Sequence, residues 1–136
     1  MRSRGMMLGA ATVVVGLAMA GCSSQSSTTS SGPACDAATL TAAAAAEASA
    51  GEVLVSLDGY ECSDGWASTF PTLGPADGNE DGQYTMTMVF KADGQSWVPQ
   101  DRDAVCGTAQ ISDGPAPYPS DAQVPEAIWQ SACQTN

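Results

Sequence analysis

The chain has 136 residues, room for a single domain, and carries 15 acidic side chains against four basic ones, for a net charge of −11 with no histidine. That balance excludes a nucleic-acid surface and a basic patch for anionic lipid headgroups. The missing histidine excludes nucleophilic catalysis through a histidine base.

The first elements read as an address. Arg2 and Arg4 precede Met6 to Met19, an uncharged, largely apolar run of 14 residues. A transmembrane helix needs about 20, so the run is too short to span a bilayer. Small residues follow in Ala18-Met19-Ala20-Gly21-Cys22, as at a signal-cleavage site. Ala20-Gly21-Cys22 resembles the lipobox of bacterial lipoproteins, with Met19 where Leu is usual. The resemblance implies a signal peptide over residues 1–21 and a diacylglycerol on the thiol of Cys22. Two or more acyl chains, palmitate among them, hold a protein stably at a membrane where one does not. The expected location is the extracytoplasmic face of the cell membrane. Ordinary cleavage after Ala18-Met19-Ala20 is the competing reading.

Cysteine parity favours the lipid. With Cys22 acylated, Cys35, Cys62, Cys106 and Cys133 remain, an even number in an exported chain, which predicts two disulfides. Zinc competes weakly, since the four are isolated and lack histidine neighbours. Residues 22–34 form a tether. From Ser23 to Ala34, eight of twelve residues are Ser or Thr, and Gly32-Pro33 precede the fold. A flexible segment of this length spans about 20 Å.

The folded domain is expected over residues 35–136. Asp36 to Ala50 predicts an Ala-rich helix with Leu40 as its large apolar residue and Gly51 as its stop. Glu52 to Asp58 alternates, predicting a strand with Val53, Val55 and Leu57 on one side. A Ser-Asp-Gly turn follows, and then Trp66, Ser68 and Phe70 share a face. In the clearest strand, Tyr84, Met86, Met88 and Phe90 face one way, with Thr85, Thr87 and Val89 opposite. Asp93-Gly94 predicts a hairpin returning through Trp97 and Val98. After a Pro- and Gly-rich loop over 113–125, a short helix starts at Pro125, with Trp129 and Cys133 on one face. The fold class is α+β: a helix, an antiparallel meander of three to four strands, and a terminal helix. Equal spacings of 27 residues suggest Cys35–Cys62 and Cys106–Cys133 as the pairs.

Cys62, Gly65-Trp66-Ala67, Phe90, Gly94, Trp97, Cys106, Val124-Pro125 and Cys133 form a wider pattern. It resembles small lipid-anchored lipoproteins of high-GC Gram-positive bacteria. That resemblance implies a shared architecture and carries no activity with it.

Three constellations could carry chemistry. Asp77, Asn79, Asp81 and Gly82 take positions one, three, five and six of a calcium-loop pattern. Position twelve, where a bidentate Glu belongs, is Met88, so a turn competes with a weak calcium site. Met86 and Met88 form a thioether pair of the kind copper uses, or a core face. Trp97 and Tyr118 are the candidate ligand-facing aromatics for a sugar platform. Carboxylate pairs at Asp101 with Asp103 and Glu61 with Asp64 arise readily among 15 acids and predict no enzyme. The expectation is therefore a non-catalytic binding or structural module of the envelope, with a protein partner and no cofactor. A cell-wall carbohydrate module and a weak calcium module over residues 77–82 are the alternatives.

Overall fold

A computed structural model describes residues 31–108 and 116–134. The expected signal, Cys22, most of the tether and part of the 113–125 loop lie outside them. The architecture is α+β, as the periodicity predicts. Helix α1 (Ala37–Ala46) is followed by strands β1 (Glu52–Ser63), β2 (Trp66–Pro75), β3 (Tyr84–Thr85), β4 (Met88–Asp93) and β5 (Ser96–Gln100). A one-turn helix α2 (Arg102–Val105) and a terminal helix α3 (Glu126–Cys133) complete the chain. The sheet is antiparallel with order β1-β2-β4-β5, and β3 pairs with β2.

Local chemistry explains the element ends. Asp36 caps α1, its side chain accepting from the Thr39 amide at 2.8 Å; a cap of this kind stabilises a helix by about 1 kcal/mol. The helix stops at Ala46 rather than Ala50. The chain tightens there, with Glu47 donating to Ala44 and Ala48 to Ala45, to enter the Ser49–Glu52 turn that starts β1. Asp64 and Gly65 join β1 to β2, both with positive φ (48° and 78°). Two such residues match the right-handed twist of flanking strands, and Gly65 takes up the conformation without strain.

Neighbouring positions on each strand feed opposite faces of the sheet, and each face is covered by one helix. On the α1 side, Leu40 and Ala44 pack with Ala67, Leu73, Met88 and Phe90. The alanines of α1 let its backbone approach the sheet closely, so that even Ala44 is fully buried. On the α3 side, Ile128, Trp129 and Ala132 pack with Trp66, Val89, Val105 and Val124. Burying each large side chain stabilises the fold by about 1.5–3 kcal/mol. The two predicted disulfides are present, Cys35–Cys62 and Cys106–Cys133. The first ties the start of α1 to the end of β1, and the second ties the end of α2 to the end of α3.

Two strands depart from simple alternation. In β1 the register steps from Leu54↔Leu73 to Ser56↔Thr72, and from Leu57↔Pro71 to Tyr60↔Thr69. Each step inserts one extra residue, a bulge that re-aims the side chains beyond it. Val53 and Val55 are exposed (44% and 48%), and the first bulge brings Leu57 to the α1 side with Leu54. The expected face of Val53, Val55 and Leu57 does not form.

The expected single strand through Tyr84–Phe90 divides into β3 and β4, although its register against β2 is continuous, from Leu73↔Tyr84 to Thr69↔Met88. The interruption falls opposite Pro71. Met86 donates to the Pro71 carbonyl at 3.1 Å, but proline has no N–H to return the bond. Arg102 begins α2, which Asp101 caps by accepting from the Asp103 amide at 3.0 Å.

Candidate functional site

β5 ends at Gln100, opposite Val89, and the chain turns away into α2. The line of β3 and β4 runs on to Tyr84. The difference in length opens a cleft of about 570 Å³ between that strand line, the C-terminal end of α1 and the end of β5. Leu73 and Met88 form its apolar floor, Tyr84 and Met86 its half-open wall, and Glu47, Ser49, Gln100 and Arg102 its polar sides. Tyr84 and Met86 are 44% and 39% exposed, large apolar groups that packing within the domain leaves in contact with water.

The polar sides are fixed. The Tyr84 hydroxyl donates to Glu52 Oε1 at 3.0 Å, and the Ser49 amide donates to Glu52 Oε2 at 3.3 Å. The Glu52 carboxylate accepts the phenolic proton and holds it, which raises the Tyr84 pKa above its ordinary value. Arg102 Nη2 donates to the Cys133 carbonyl at 3.2 Å, joining α2 to the end of α3. Glu47 is the one carboxylate among the residues lining the cleft. The arrangement suits recognition by shape, with an adaptable thioether surface and a few directed polar groups.

The residues singled out from sequence fall elsewhere or act locally. Asp77 Oδ1 accepts from the Asn79 amide at 3.0 Å, and Asn79 Oδ1 accepts from the Asp81 amide at 3.1 Å. These side chains cap successive turns around the short 3₁₀ segment Glu80–Gly82, with their oxygens directed at the local backbone. Among the described residues, no three His, Cys, Asp or Glu side chains converge.

Trp97 packs on the α1 side of the sheet and donates its indole N–H to the Ala34 carbonyl at 3.0 Å. Tyr118 lies on the α3 side, edge-on to Trp129 with ring centroids 5.8 Å apart, and donates its hydroxyl to the Val124 carbonyl at 2.9 Å. The sheet separates the two aromatics, so they do not share a groove. Met86 and Met88 both line the cleft, the first exposed and the second in its floor. Glu61 accepts from the Ser131 hydroxyl on α3.

A second hollow, of about 630 Å³, lies at the other end of the sheet, where Ser31, Gly32 and Pro33 meet Asp64, Gly65, Gly94 and Trp97. Here the described chain begins, pinned by the Trp97–Ala34 bond and by Cys35–Cys62. Near the Cys106–Cys133 bridge, Asp121 accepts from the Thr108 amide and hydroxyl, at 3.0 and 2.8 Å. Those bonds lower its pKa below the ordinary carboxylate value, the backbone one first. Gly107 beside it has φ +74°, and a Cβ there would stand 2.7 Å from Asp121 Oδ1 and the Ala122 amide nitrogen, so only glycine fits.

The cleft left no local signal in the sequence, because it arises from unequal strand lengths across the sheet. Among the described residues no helix is long and apolar enough to cross a membrane. Comparison with protein-family models, with curated proteins and with solved structures finds no match for this chain.

Proposed function

We propose that the protein is a non-catalytic lipoprotein of the cell envelope, an acidic module that binds a partner through the cleft beside β3 and β4. In this reading Cys22 carries the lipid, and residues 22–34 tether the domain to the extracytoplasmic face of the membrane. One observation carries the binding reading. The described chain begins at Ser31, beside the Asp64-Gly65 turn and Gly94, whereas the cleft lies at the opposite end of the strands, beside Glu47 and Arg102. The length of β4 alone puts about 20 Å between the two ends. An anchor at one end therefore leaves the cleft at the end remote from the attachment point, open to a partner in the envelope.

The lipobox resemblance at Ala20-Gly21-Cys22 and the even cysteine count support the anchor. The test is fractionation of cells expressing the chain and its Cys22→Ser variant. Release of the variant from the membrane fraction is expected, and equal retention of both would refute the anchor.

A further inference from the structure

We propose that Cys35–Cys62 is a redox site of the folded protein, opened by a dithiol reductant that enters through the hollow at the end of the sheet, while Cys106–Cys133 stays closed. The proposal goes beyond the binding-module reading and does not depend on what occupies the cleft.

Each bridge keeps one cysteine against a core, Cys62 on the α1 side and Cys133 on the α3 side. The outer cysteines differ. Cys106 is half-buried, with its carbonyl accepting from the Trp129 indole at 2.9 Å. Cys35 is exposed, and it lines the hollow of about 630 Å³ together with Cys62. A thiolate must reach a sulfur to exchange with it, so exposure decides which bridge reacts.

The turns explain why the hollow is open. The β1–β2 and β4–β5 turns lie side by side there, joined by the Ala92 amide donating to the Gly65 carbonyl at 2.7 Å. Each turn has a positive φ, 78° at Gly65 and 58° at Gly94, which glycine adopts without strain. Two lining positions therefore carry no side chain, and a Cβ at Gly94 would meet nothing within 4 Å. Asp64 is the one carboxylate of the lining.

The reaction is a dithiol exchange. A thiolate of the reductant attacks Cys35 Sγ, forming a mixed disulfide and expelling the Cys62 thiolate, which takes up a proton. The second thiol of the reductant, as its thiolate, attacks its partner sulfur in the mixed disulfide. That closes the reductant's own disulfide and releases the Cys35 thiolate, which is protonated in turn. Two electrons and two protons pass from the dithiol to the protein. The fold remains, because Leu40 and Ala44 stay buried against the sheet. The Ala34 carbonyl still accepts from the Trp97 indole at 3.0 Å and the Thr39 hydroxyl at 2.6 Å. Only the tie between the start of α1 and the end of β1 opens.

The test treats the full-length oxidised protein, purified in detergent, with dithiothreitol and traps thiols over time with N-ethylmaleimide. Trypsin cuts after Lys91 and Arg102, which puts Cys35 and Cys62 on one peptide and Cys106 and Cys133 on another. Mass spectrometry then reads each bridge separately, with an unreduced control to account for Cys22. Without urea, Cys35–Cys62 should open at least about tenfold faster than Cys106–Cys133, and above the urea midpoint the two rates should agree within about twofold. Asp64→Asn should speed the first reduction about twofold and leave the second unchanged, because the attacking thiolate is an anion. Asparagine tolerates the φ of 48° at that position.

Reduced thioredoxin, a protein dithiol, is tested beside dithiothreitol. Selective opening by both supports the site with a protein reductant, and by dithiothreitol alone supports it with a small one. Equal rates without urea, Cys106–Cys133 opening first, loss of both bridges together, or no acceleration in Asp64→Asn would overturn the proposal.

Discussion

Ser68→Ala should stabilise this protein, although it removes a polar group from the middle of a strand. Ser68 is fully buried on the α3 side of β2, between Glu61 of β1 and Val89 of β4. Its hydroxyl has no hydrogen-bond partner among the described residues. A buried hydroxyl that gives up water and gains nothing costs about 1–3 kcal/mol. Alanine removes that cost and leaves a void no larger than a methyl group, a loss of at most about 1 kcal/mol. The net expectation is a gain of roughly 1 kcal/mol, or about 4–8 °C in Tm for a domain of this size. Urea and thermal unfolding of the oxidised protein measure it, with an unchanged urea slope as the sign that the folded and unfolded ensembles are otherwise alike. A loss of 1 kcal/mol or more would refute the reasoning and give the hydroxyl a partner, such as a buried water bridging it to Glu61.

Each disulfide closes the same 27-residue separation, so chain entropy predicts the same loss, about 3.5 kcal/mol, from Cys35→Ala with Cys62→Ala as from Cys106→Ala with Cys133→Ala. Unfolding of the two double variants checks this, and a much larger loss from the second would locate added stability in the packing around Trp129. Asp121 has a lowered folded pKa. The stability it confers is therefore complete above its unfolded value of about 3.9 and is lost as pH falls through the folded one. Asp121→Asn should flatten that acid limb in a pH series of unfolding curves; an unchanged limb would remove the Thr108 bonds from the account. Calcium at millimolar concentration should leave Tm within a degree, because the Asp77 and Asn79 oxygens accept from the backbone. A rise of several degrees that Asp77→Asn with Asp81→Asn abolishes would restore the metal reading of that loop.

Features fixed by a few adjacent residues were legible in the sequence. Asp64-Gly65 and Asp93-Gly94 carry the turn chemistry of hairpins, the alanines of α1 carry helix propensity, and an even set of four cysteines beyond residue 34 carries two bridges. Features fixed by residues meeting across the sheet were not. Nothing near Met86 announces that Pro71 stands opposite it, so the strand reads as continuous. The bulges in β1 come from its pairing with β2, and they undo an alternation that looks regular in Val53, Val55 and Leu57. Trp97 sits beside a turn and looks exposed, yet its indole reaches Ala34, 63 residues earlier. The candidate site belongs to this second class, since a cleft made by one strand being shorter than its neighbour has no local motif.

The placement of Cys35–Cys62 has a mechanical consequence. Tension applied to the chain before Ser31 passes through the bridge directly into the end of β1, bypassing α1, which the bridge holds at its first turn. A partner held at the cleft, as proposed, would pull from the opposite end of the strands. The load then runs along the strand axes, and the hydrogen bonds, which lie across those axes, are strained together in shear instead of parting one after another. Under that load the bridge and the sheet would resist unfolding together, α1 being left out of the path of the force.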